Sequence, residues 1–115
     1  MPLYMLQFAY TSDAWAALAR KPENRAEAIT TLAQKMGGRL VDIYYCFGEY
    51  DGVVLVDLPN DTVATAFVIA AVSPGHVKST RTTRLITVDE AVDAMRQAGE
   101  VAYVAPAGMQ AGTRT

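Results

Sequence analysis

The sequence has one cysteine, one histidine and no apolar run close to the ~20 residues that span a bilayer. With Cys46 alone, no intrachain disulfide can form. Its neighbours Tyr44, Tyr45 and Phe47 place it on a strand, and a buried free thiol there suits a reducing cytoplasm. No group of His, Cys and Asp has the spacing of a metal site, and no cofactor is implied. A large net charge is missing too: 10 basic against 12 acidic side chains leave only −2. That removes the general electrostatic case for nucleic acid or an anionic membrane. The opening Met-Pro-Leu-Tyr-Met-Leu-Gln-Phe lacks the basic region and the small-residue cleavage site of a signal peptide. The longest apolar stretch, Val63 to Val72, is interrupted by Thr65. A soluble, cytoplasmic protein is expected.

What is present is a core. The 115 residues are 51% hydrophobic, which excludes a disordered chain and fits one domain burying roughly two-thirds of its unfolded surface. Leu3 to Tyr10 is apolar except at Gln7 and reads as a strand. Thr11-Ser12-Asp13 can cap a short helix over Asp13 to Arg20, which Lys21-Pro22 interrupts. A second helix follows to about Met36, with Ile29, Leu32, Ala33 and Met36 on one stripe and Gly37-Gly38 past its end. Arg39 to Phe47 is a strand, and Asp51-Gly52 signals a hairpin into a return strand, Val53 to Val56. Asn60 or Asp61 can cap a helix from Thr62 to Val72, ended by Ser73-Pro74-Gly75. His76 to Thr87 is the last strand, and Thr87-Val88-Asp89-Glu90 is a capping box opening a helix to about Ala98. The domain is expected over residues 1–99, with a flexible tail over 100–115.

The order β-α-β-β-α-β plus a terminal helix is an α+β, ferredoxin-like sandwich. Its central strands are the first and third. Both are apolar at odd and even positions, so both faces of the sheet need cover. Two helices cover one face, and a second copy of the chain is the economical cover for the other. The nearly all-apolar helix Thr62 to Val72 argues the same way. The competing arrangement folds the C-terminal helix back over the open face. A homodimer or larger oligomer is expected.

Gly48-Glu49-Tyr50-Asp51-Gly52 is the most distinctive local feature. Its simpler reading is a hairpin whose glycines take positive φ and whose Asp51 side chain bonds the turn backbone. The functional reading is a loop that presents Tyr50 and its carboxylates to a ligand. Together with Gly37-Gly38, Tyr44, Pro59, Gly75, Val77 and Thr80-Arg81-Thr82, this segment resembles the GYD domain family over about residues 2–90. The resemblance implies a dimeric α+β barrel of ferredoxin-like subunits and says little about a reaction. The Gly48-x-Tyr50-Asp51 and Gly75-x-Val77-x-x-Thr80-x-Thr82 patterns are also similar, more weakly, to the effector-binding domain of leucine-responsive (feast/famine) regulators. Those domains bind amino acids or similar molecules at subunit interfaces. This chain has no helix-turn-helix, so the resemblance points to a free-standing ligand-binding module rather than a DNA-binding one.

The remaining candidates are sparse. His76, after Gly75, can serve as a general base or be a plain loop histidine. Tyr44 shares a strand face with Asp42 and Cys46, and Tyr45 shares the other with Ile43 and Phe47. Lys78, Arg81 and Arg84 mix both faces of the last strand, a common guard against edge pairing. The return strand carries no stacking aromatics, which argues against RNA. An N-terminal proline base at Pro2, as in tautomerases, fits poorly with the element lengths. The expectation is a small-molecule-binding oligomeric module whose candidate ligand contacts are Tyr44, Tyr50, Asp51 and His76. The alternative is a cofactor-independent monooxygenase or isomerase acting on a small aromatic or carbonyl compound.

Overall fold

A computed structural model describes residues 1–109. Its elements are β1 (Leu3–Tyr10), α1 (Ser12–Arg20), α2 (Arg25–Lys35), β2 (Arg39–Tyr45), β3 (Gly52–Asp57), α3 (Asp61–Val72), β4 (Val77–Leu85) and α4 (Val88–Gly99), followed by a 3-10 turn (Ala107–Met109). The sheet order is β2-β3-β1-β4, with every pairing antiparallel. This is the ferredoxin-like α+β arrangement, with β1 and β3 in the centre. The chain divides into two compact units, Met1–Leu85 and a second that begins at Ile86. Part of the tail expected to be flexible, residues 110–115, lies outside the described residues.

Local chemistry sets the boundaries. Each α-helix starts on a side-chain oxygen that accepts a backbone N–H: Thr11 from Ala14, Asn24 from Ala26, Asn60 from Val63 and Thr87 from Glu90. The Thr87 box is reciprocal, because the Glu90 carboxylate takes the Thr87 N–H at 2.9 Å. At the end of α2, Gly37 turns to φ +79°. Gly38 N–H then reaches Ala33 C=O at 2.9 Å and Gly37 N–H reaches Gln34 C=O at 3.1 Å, the paired bonds of a Schellman cap.

The core of the first unit lies between one sheet face and the helices. Tyr4, Leu6, Phe8 and Tyr10 of β1 join Val54 and Val56 of β3, Leu58, Ala33 of α2, and Ala64 and Phe67 of α3. The stripe expected on α2 is there, with Ala33 buried and Ile29, Leu32 and Met36 packed half-buried around it. Alternate residues of the central strands, Leu3, Met5, Gln7, Val53 and Leu55, turn to the opposite face and are half-buried. No helix of the described residues is long and apolar enough to cross a membrane.

Three expectations need correction. The second strand stops at Tyr45 rather than Phe47, and Cys46 is exposed, with its thiol donating to Tyr50 C=O at 3.3 Å. Gly48 takes positive φ (+127°), but Gly52 does not. A side chain at Gly52 is excluded for another reason: a Cβ there would run into the Phe8 ring, which packs on the bare backbone across the β1–β3 ladder. The third correction concerns Asp51, whose side chain bonds outside its own turn, as described below.

Overpacking against a ring fixed in the core costs about 1–3 kcal/mol. Gly52→Val is therefore expected to lower the stability read from urea unfolding by that amount, and adding Phe8→Leu to recover part of it. An unchanged midpoint in Gly52→Val would show that the Phe8 ring yields freely.

Candidate functional site

Tyr10 is the centre of the site. The β1–β3 ladder ends at the pair Phe8–Gly52, before β1 itself does. On its other side β1 skips one residue of β4: Ala9 pairs with Ser79 and Tyr10 with Val77, which leaves Lys78 as a bulge. Strand alternation puts Tyr10 in the core with Tyr4, Leu6 and Phe8, 5% exposed, directly after a buried Ala9. Asp51 continues the lost β3 edge. Its N–H donates to Phe8 C=O at 2.7 Å, and its Oδ2 accepts Tyr10 N–H at 2.8 Å. The same oxygen accepts the Trp15 indole N–H of α1 at 3.1 Å.

An aromatic cluster surrounds this carboxylate. The Tyr10 ring lies 5.1 Å from both Phe8 and Trp15, edge-on to the indole, and 6.3 Å from Tyr45. The hydroxyls of Tyr10 and Tyr45 stand 3.2 Å apart. Burial first, and then the Tyr45 hydroxyl, push the Tyr10 phenol well above its ordinary pKa, so it stays protonated. His76 lies on another side of Tyr10, ring to ring at 6.0 Å, and its C=O accepts Thr11 N–H at 3.0 Å. Burial, and next the nearby Arg25 charge, lower the His76 pKa below the ordinary 6.5. The imidazole is neutral at neutral pH.

Two hollows adjoin at these side chains. An inner cavity of about 50 Å³ lies between the sheet and the α2 and α3 helices, walled by Leu6, Ile29, Val54, Phe67, Val68 and Ala71. A wider cleft of about 430 Å³ opens outside it, between α1 and the chain before α2, with Leu18, Lys21, Glu23 and Pro74 in its lining. Tyr10, Arg25 and His76 belong to the lining of both and stand between them. The arrangement offers an apolar floor, a neutral imidazole, a phenol and a guanidinium, which suits binding of a small amphipathic molecule. Among the described residues no three His, Cys, Asp or Glu side chains converge as a metal site would require.

The GYD domain profile matches residues 4–95. The chain belongs to the GYD domain family. Among solved structures it is similar to MtbAldR, at 15% identity and a TM-score of 0.54, over 75% of this chain and 53% of that one. The chain thus spans about half the length of MtbAldR. It is similar as well to TTHA0845 from Thermus thermophilus, at 17% identity and a TM-score of 0.50, over 76% of this chain and 96% of that one. FFRP-DM1 is a further neighbour, at 16% identity and a TM-score of 0.47, over 75% of this chain and all of that one. At these identities the likeness is one of fold. No curated protein matches the chain.

The GYD signature of this chain has supporting roles. Gly48 supplies the left-handed turn, Tyr50 C=O accepts the Cys46 thiol, and Asp51 holds the end of β1 to α1. Of the four candidate residues, Asp51 and His76 meet at Tyr10 from different sides, and only His76 lines the cleft. Tyr44 pairs with Val53 on the opposite sheet face, where its hydroxyl donates to Asp42 at 2.5 Å. The Tyr50 side chain is half-buried and lines neither hollow. Sequence reasoning missed Tyr10, Trp15 and Arg25. The alternation of β1 puts Tyr10 on the core face, but its role depends on Asp51 and His76 from distant segments, while Arg25 opens a helix whose start the sequence reading leaves unmarked.

Asp51→Ala leaves the buried Tyr10 N–H without its acceptor, a loss of about 1–3 kcal/mol. We expect that drop in chemical unfolding, together with a changed emission of Trp15, the only tryptophan. The His76 shift also has a defined sign. Its folded pKa lies below the unfolded value, so the unfolded chain binds the extra proton and stability falls as pH drops through 6.5 toward the folded pKa. In His76→Gln the stability profile should lose that part of its slope. A resonance of the single imidazole that titrates above 6.5 would contradict the assignment.

Proposed function

We propose that this GYD domain is a small-molecule-binding module that works as a homodimer or larger oligomer in the cytoplasm. The ligand sits in the cleft at Tyr10, Arg25 and His76, with an apolar part in the inner cavity. The observation that carries this reading is the junction itself. An apolar cavity and an open cleft share three polar side chains, held by a strand end, a helix start and the turn before β4. Sites for small ligands combine an apolar lining with a few placed polar groups in this way. The assembly is supported by the half-buried apolar residues Leu3, Met5, Val53 and Leu55 on the second face of the central strands. A free, exposed thiol at Cys46 suits a reducing compartment.

Native mass spectrometry of the purified protein, set against its denatured mass, tests both parts. The expected spectrum is an oligomer with added small-molecule mass. Ala71→Phe, which places a ring in the inner cavity from α3, should lose the added mass and keep the subunit number. A monomer would remove the assembly, and retention of ligand by Ala71→Phe would remove the site.

A further inference from the structure

The lining of the cleft carries one net positive charge on a chain whose total is −2. The groups there with a full charge are Lys21, Glu23 and Arg25. Arg25 Nη1 meets Glu23 Oε1 at 2.6 Å, and among the described residues no other carboxylate pairs with the guanidinium. A guanidinium has five N–H donors in a planar fork; Glu23 and the Tyr10 hydroxyl engage part of it, which leaves further donors for a ligand. The Glu23 side chain is 53% exposed and returns to water at little cost when another acid takes its place. Asp51, the acid within the aromatic cluster, is already occupied by the Tyr10 and Trp15 N–H groups.

The inner cavity limits the rest of the ligand. Its volume of about 50 Å³ is lined almost wholly by aliphatic and aromatic carbon. A water takes up ~30 Å³ in the liquid, so the cavity has room for only a few carbon atoms.

Resting on the binding reading above, we infer that the ligand is a small aliphatic monocarboxylate, with its carboxylate on Arg25 and its short alkyl chain in the inner cavity. A carboxylate matches the guanidinium fork in two parallel hydrogen bonds. A single negative charge balances the local excess. The Tyr10 hydroxyl, kept protonated, and the neutral imidazole of His76 add no charge there.

The test is calorimetric titration of the full chain with acetate, propanoate, butanoate and pentanoate, followed by butanamide and butylamine. Each added methylene should tighten binding about fourfold until the cavity is full, as expected for burial of a CH₂ group. Butanoate should bind at least about tenfold tighter than the amide or the amine, the margin of a charge-assisted, bidentate pair. In Arg25→Gln the carboxylate should lose its advantage over the amide while the gain with chain length persists; Arg25→Lys, which keeps the charge without the fork, should retain only part of that advantage. Equal binding of butanoate and butanamide by the native chain would overturn the carboxylate and leave the pocket reading standing. A flat chain-length series would overturn the seat of the alkyl chain. Binding of none of the probes would overturn the ligand class together with this cleft as its site.

Discussion

One carboxylate oxygen holds the functional end of the sheet together. Where β3 stops pairing with β1, the Asp51 side chain stands in for the missing strand residue and accepts the Tyr10 N–H that the ladder would leave unpaired. A buried backbone donor without an acceptor costs as much as a lost hydrogen bond, so this contact is an obligation of the fold. Because Oδ2 also takes the Trp15 indole, the obligation extends to α1. Tyr10 is thereby fixed at its backbone by Asp51, at its ring by Phe8 and Trp15, and at its hydroxyl by Tyr45. Only with Tyr10 fixed do the two hollows share a defined wall.

The division of labour follows from this geometry. The residues of the Gly-x-Tyr-Asp core build the scaffold behind the cleft, while Arg25 and His76, which line it, come from the start of α2 and the turn before β4. Such a separation leaves the lining free to vary among proteins that share the core. It also explains why the signature names a fold more readily than a chemistry. The likeness to MtbAldR and TTHA0845 at 15% and 17% identity has the same character, since what is common there is the course of the chain.

Much of the fold is legible in the sequence because local rules act alone there. Caps, the Schellman glycines and the capping box at Thr87 each need only a few neighbouring residues, and they stand where the pattern places them. The bounds of β1 agree to the residue. What resists reading depends on contacts between distant segments. The pattern gives Gly52 a backbone reason, when the actual one is the Phe8 ring on another strand. Cys46 follows the aromatic pattern of its neighbours but falls just past the strand end. Asp51 stands out as special within its own turn, whereas its partners lie on β1 and α1. The bulge at Lys78, which shifts β4 against the end of β1, has no composition of its own.

The tether of α1 has a consequence for how the first unit moves. That helix buries none of its residues, and its ties to the rest of the fold include the Trp15 indole and the backbone of Thr11. The half-buried Ala14 and Leu18 and the Trp15 ring are the apolar groups that leave the core when it swings out, so its opening free energy lies below that of global unfolding. Amide protons of α1 then exchange with solvent while those of β1 and β3 stay protected. The wall of the cleft formed by Ala14, Ala17 and Leu18 is for this reason its yielding side.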